Sequence, residues 1–96
     1  MTMTYTEQFQ ALETVNAMQE KAKELQVETK AHFDALETMA KELNMITDPV
    51  KFNKAYAVYC TRLEEADISA DATRLAYAMA EVALAGVVGS ANQTFH

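Results

Sequence analysis

The sequence predicts an all-α fold: a long antiparallel helical hairpin with coiled-coil-like packing, carrying a third short C-terminal helix if its second arm breaks. Three observations carry that expectation. Apolar residues recur at steps of three or four over most of the chain, the pair Asp48-Pro49 divides the pattern near its middle, and the 96 residues include only two glycines and one proline. The stronger helix formers Ala, Leu, Met, Glu, Lys and Gln dominate what remains, which argues against a sheet protein. A single helical domain, 1–96, is expected, because a chain this short buries only about 60% of the surface its unfolded form exposes. So small a reserve of stability points to a partner or to self-association.

The first arm is a helix over about 5–44. Thr4 and Glu7 have capping-box spacing, in which the threonine hydroxyl accepts from a free amide of the first turn and the glutamate reaches back. From Phe9 the residues Leu12, Val15, Met18, Ala22, Leu25, Phe33, Leu36, Ala40 and Leu43 keep helical spacing, with one weak stretch over 29–32. At a rise of ~1.5 Å per residue, roughly forty residues reach about 60 Å, longer than a compact globule of this mass needs.

Residues 44–48 form the expected loop. Aspartate caps a helix that opens with proline, and proline drives the residue before it out of the α conformation. So short a connection favours an antiparallel return of the chain. The second arm places Phe52, Tyr56, Tyr59 and Leu63 on one stripe, and then Ile68, Ala72, Leu75, Met79 and Val82 on another after a five-residue step. That step turns the stripe by roughly 140°. Either the arm breaks near 65–69 into helices over about 49–66 and 69–88, with Ser69 capping the second, or it continues and offers two faces to two neighbours. The cap-forming Asp67, Ser69 and Asp71 favour the break. Residues 82–88 are apolar on nearly every side, Gly86 and Gly89 are candidate helix stops, and 89–96 reads as a frayed tail.

The formal net charge is −6, with eight acids and four bases in 1–47 and six acids and four bases in 48–96. No basic patch exists to displace counterions from phosphates, so direct nucleic acid binding is not expected, and anionic membrane surfaces are disfavoured for the same reason. The polar N-terminus lacks the basic and apolar regions of a signal peptide, so a cytoplasmic location is expected. No window holds the ~20 consecutive apolar residues that span a bilayer. The most apolar run, 76–88, contains Glu81, and no transmembrane segment is expected. Cys60, the single cysteine, falls beside Tyr59 in a helical pattern and reads as a buried structural thiol.

Residues that could carry chemistry are sparse. Glu28 and His32 lie one turn apart, but a di-iron site needs a Glu-x-x-His pair from each of two helices, and the second histidine is His96 in the tail. Glu64, Glu65, Asp67 and Asp71 lack the alternating ligands and turn glycine of a calcium loop. There is no glycine-rich phosphate loop and no nucleophile elbow. No catalytic residue, metal ligand or cofactor is therefore assigned, and the chain is not expected to be an enzyme. Tyr5, Tyr56, Tyr59 and Tyr77 read as core or interface residues, and Met18, Met39, Met45 and Met79 suit core filling or an adaptable interface. The expected apolar interface comprises Phe9, Leu12, Leu25, Phe33, Leu36, Leu43, Phe52, Tyr56, Tyr59, Leu63, Leu75, Met79 and Val82.

The long acidic helix, the Met/Ala/Leu-rich face and the second-arm opening Asp48-Pro49-x-x-Phe52-x-x-x-Tyr56 together resemble the phasins, small helical proteins that coat polyhydroxyalkanoate storage granules. The likeness spans residues 7–85. It implies a non-catalytic protein that self-associates and coats or binds a hydrophobic surface, with Phe9, Leu12, Phe33, Leu36, Phe52, Tyr56 and Leu63 facing polymer or oligomer. The chain is short for that family and lacks the Lys- and Ala-rich tail many members carry. The expected partner is thus another copy, a protein, or a hydrophobic polymer granule. Two alternatives stand beside this reading: a small acidic adaptor or inhibitor of one specific protein, such as a phage encodes, and a helical subunit of a larger assembly docked through 82–88.

Overall fold

The computed structural model describes residues 4–94, with side chains through residue 89. They form an all-α helical hairpin of two helices, α1 (Tyr5–Leu43) and α2 (Pro49–Thr94). Both helix starts follow from local chemistry. The Glu7 amide donates to Thr4 Oγ1 at 3.2 Å while the Thr4 amide donates to Glu7 Oε2 at 3.3 Å, which is the reciprocal capping box. At α2, the Val50 amide donates to Asp48 Oδ1 at 3.1 Å, the Phe52 amide donates to the Asp48 carbonyl at 2.9 Å, and Pro49 opens the helix without an amide to satisfy. Between them α1 tightens at its end: the Met45 and Ile46 amides bond back three residues to Glu42 and Leu43.

The chain divides into two compact units. The first, Leu25–Ala72, holds the turn and the helical segments beside it. Its buried side chains are Leu36, Leu43 and Ala66, with Thr29 and Tyr59 half-buried in the same rows. Thr29 Oγ1 and Ser69 Oγ lie 2.7 Å apart, a hydroxyl pair that joins the two helices within this unit. The second unit combines Met1–Glu24 with Thr73–His96, and its described core is Val15, Ala22, Thr73, Ala80 and Val87.

Each helix buries positions seven residues apart. On α1 these are Val15, Ala22, Leu36 and Leu43, with half-buried Thr29 at the intervening step; on α2 they are Ala66, Thr73, Ala80 and Val87. Seven-residue spacing is that of a coiled-coil seam. The seam is built from small and medium side chains, and among the described residues no large side chain is fully buried. Large apolar residues are instead exposed on both helices, from Phe9 to Val88.

Three expectations change. The break near 65–69 and the third helix are not shown, because α2 is continuous through Asp67, Ser69 and Asp71. Ser69 spends its hydroxyl on Thr29 in the facing helix. The five-residue step is a change of face within one helix, from the side carrying Leu63 to an outer stripe on which Ile68 is 70% exposed. Gly86 and Gly89 do not stop α2 either. Neither takes the positive φ that a glycine C-cap uses, so the helix passes through both at a cost of about 1 kcal/mol each relative to alanine. The expected tail over 89–96 is helical as far as Thr94, while the terminal Phe95 and His96 lie outside the described residues.

Candidate functional site

In the unit Leu25–Ala72 the first turns of α2 carry an aromatic ladder. Phe52, Tyr56 and Tyr59 sit three and four residues apart and so share one helix face. Phe52 and Tyr56 stack with centroids 6.0 Å apart and planes at 10°, and Tyr56 and Tyr59 follow at 6.3 Å and 22°. Phe52, Tyr56 and Leu63 are exposed and Tyr59 is half-buried, so the ladder presents edges and faces to the outside. Cys60 is half-buried where a buried thiol was expected. It touches the ladder: a hydrogen bond with its sulfur, then its charge when ionised, then slight burial and Tyr59 push the Tyr56 hydroxyl above its usual value of 10.0.

On another side of this unit a shallow groove is lined by Leu25, Glu28, His32, Glu65, Ile68, Ser69 and Ala72. His32 is half-buried and lines this groove together with Glu28 and Glu65. Among the described residues, no group of three or more His, Cys, Asp and Glu side chains is placed to hold a metal ion.

The other unit has a nearly apolar groove. Thr14, Ala17, Met18 and Lys21 of α1 face Ala76 and Met79 of α2, and the groove continues past Met18 and Met79 to Ala78, Val82 and Ala83. Leu75, Met79 and Val82 stand on the outer side of α2 there, and Phe9 and Leu12 are exposed on α1. Between residues 75 and 89 the only charged side chain is Glu81.

The expected interface residues thus fall into three groups. Leu36 and Leu43 are in the hairpin's own seam, Leu25 and Tyr59 are half-buried beside it, and the other nine are exposed. Ala66 and Thr73 join the seam as well, marked in the sequence only by their seven-residue spacing with Ala80 and Val87, whereas no spacing along the chain announces the Thr29–Ser69 pair.

Four ion pairs, Lys21–Glu24, Lys23–Glu20, Lys41–Glu37 and Arg62–Glu65, span 3.4–3.8 Å, each within one helix and solvent-exposed. Such pairs support a helix by a few tenths of a kcal/mol and do not hold one helix to another. Counting consecutive apolar residues, the sequence offered no bilayer span. Averaged hydropathy gives a different result: within Pro49–Gly89 of α2, an 18-residue window reaches a mean hydropathy of 1.2 and is only 11% buried, so this helix is long and apolar enough to cross a membrane by length and composition. Compared with family models, curated proteins and solved structures, the chain matches none.

Proposed function

We propose that the chain is a non-catalytic, amphipathic helical protein that coats or binds a hydrophobic surface and associates with itself, as its resemblance to the phasins implies. The observation that carries this reading is the apolar surface left outside the seam. Val15, Ala22, Leu36, Leu43, Ala66, Ala80 and Val87 are buried in the seam, while Phe9, Phe33, Phe52, Tyr56, Leu75, Met79 and Val82 remain exposed. Patches of that kind mark interaction surfaces in stable proteins. The ladder Phe52, Tyr56, Tyr59 suits an apolar phase bordered by water, because the rings supply apolar area and the tyrosine hydroxyls stay hydrated. Lys51, Lys54, Arg62 and Glu64 flank the ladder residues in sequence and are exposed. The net charge of −6 directs the protein to uncharged surfaces rather than anionic ones.

Adsorption of the full chain to polyhydroxybutyrate particles and to neutral triglyceride droplets tests the reading. The variant Phe52→Ser/Tyr56→Ser should keep its helicity and bind at least about tenfold more weakly, since each buried aromatic contributes on the order of 2 kcal/mol. A protein that ignores both surfaces, or a double variant that binds as well as the parent, rejects it. The exposed apolar window of α2 favours bilayer insertion as a second reading. Retention on neutral phosphatidylcholine vesicles after alkaline extraction would support that one instead.

A further inference from the structure

In the unit containing Thr73–His96, the outer face of α2 carries a second seam. Leu75, Met79, Val82, Gly86 and Gly89 follow one another at steps of four, three, four and three, the spacing with which helices meet in a coiled coil. Leu75, Met79 and Val82 are 61%, 53% and 74% exposed, so the inner seam through Thr73, Ala80 and Val87 makes little use of them. Gly86 adds an independent observation. It lies within a helix at ordinary φ, and a Cβ placed on it would meet no atom within 4 Å. Nothing in the chain's own packing requires a glycine there, although glycine weakens a helix interior relative to alanine. A helix approaching from outside would make use of it, because a missing side chain leaves a hole for a neighbour's knob.

We infer that α2 docks antiparallel on α2 of a second copy, with Leu75 of each copy seated over Gly86 of the other and Met79 against Val82. This rests on the self-association proposed above and names its face and geometry. The surface is self-complementary, as a two-fold dimer demands. In a parallel pair in register, Gly86 would face Gly86 and Leu75 would face Leu75, leaving a gap at one level and crowding at another. The antiparallel pair fills each gap with a leucine.

The charges agree. Glu81, the one charged residue between 75 and 89, lies off the stripe, so seam meets seam without burying an ion. Docking would withdraw on the order of 500 Å² per copy, ~1,000 Å² in all, below the range of stable specific interfaces, so the pair is expected to be weak and reversible. Since each copy carries a net charge of −6, added salt should tighten the pair by screening their repulsion. A partner held by ion pairs would be loosened.

Sedimentation equilibrium of the full chain tests the inference. The parent should show a reversible monomer–dimer equilibrium that strengthens with salt. Gly86→Leu should raise the dissociation constant about tenfold, while circular dichroism at monomeric concentrations shows a helix at least as stable as the parent's. Leu75→Ala/Gly86→Leu, which moves the knob to the opposite position, should recover most of the lost affinity. A parent that stays monomeric, a Gly86→Leu dimer as tight as the parent's, or a double variant no tighter than Gly86→Leu overturns it. Particle adsorption of Gly86→Leu separates the two proposals. Adsorption kept while the dimer weakens supports both, whereas an intact parent dimer that fails to adsorb leaves this one standing and rejects surface coating.

Discussion

Tyr56 shows how a residue on an open face can still be tuned by its neighbours. Its phenol lies one helical turn from the Cys60 sulfur, and the hydrogen bond between them holds the proton on the ring oxygen. An ionised thiol and the neighbouring Tyr59 oppose a second negative charge in the same place. Because the folded-state value lies above the ordinary 10.0, any stabilisation from this contact is complete below that pH and is lost as pH rises through the raised value. Cys60→Ala should therefore shift the Tyr56 titration back toward 10.0, read as the tyrosinate absorbance difference between each protein and its Tyr56→Phe counterpart. A curve that Cys60→Ala leaves in place would assign the shift to another neighbour.

Between elements, the Thr29–Ser69 hydroxyl pair ties one turn of α1 to one turn of α2 within Leu25–Ala72. Thr29 occupies the seam row that also contains Leu36 and Leu43, and one polar layer in an apolar seam penalises slipped pairings that would leave a hydroxyl against a methyl. Ser69→Ala and Thr29→Val should each cost roughly 1 kcal/mol in urea unfolding, and the double variant should cost less than their sum. Strict additivity would mean that the pair contributes nothing and that shape alone sets the register. The same contact gives Ser69 a partner across the hairpin in place of the cap its sequence position suggested.

For the whole chain, the balance between inner and outer apolar surface governs behaviour. The seam of Val15, Ala22, Leu36, Leu43, Ala66, Thr73, Ala80 and Val87 leaves Phe9, Phe52, Tyr56 and Leu75 outside, and the exposed ion pairs within each helix add little to the association of the helices. A second copy or surface that covered the hairpin's outer residues would add stability by mass action, as the proposed self-association requires. The hairpin's thermal midpoint should rise by several degrees when protein concentration is raised about a hundredfold, followed by circular dichroism. A midpoint independent of concentration would show that the narrow seam suffices alone.

The amino-acid sequence determined the helices, their beginnings and the turn, because caps, a proline and three-to-four spacing act through neighbours only a few residues away. Thr4, Glu7, Asp48 and Pro49 all perform in the fold the roles their local chemistry predicts. It also supplied a pool of apolar residues on both arms, but it could not divide them into inner and outer faces. Helical spacing gives the two arms more apolar positions than one seam between two helices covers, so Leu36, Ala66 and Val87 went inside while Phe52, Leu75 and Val82 stayed outside. Only the tertiary structure made that choice, since closeness of approach between helices is a property of the pair and is written in neither one alone.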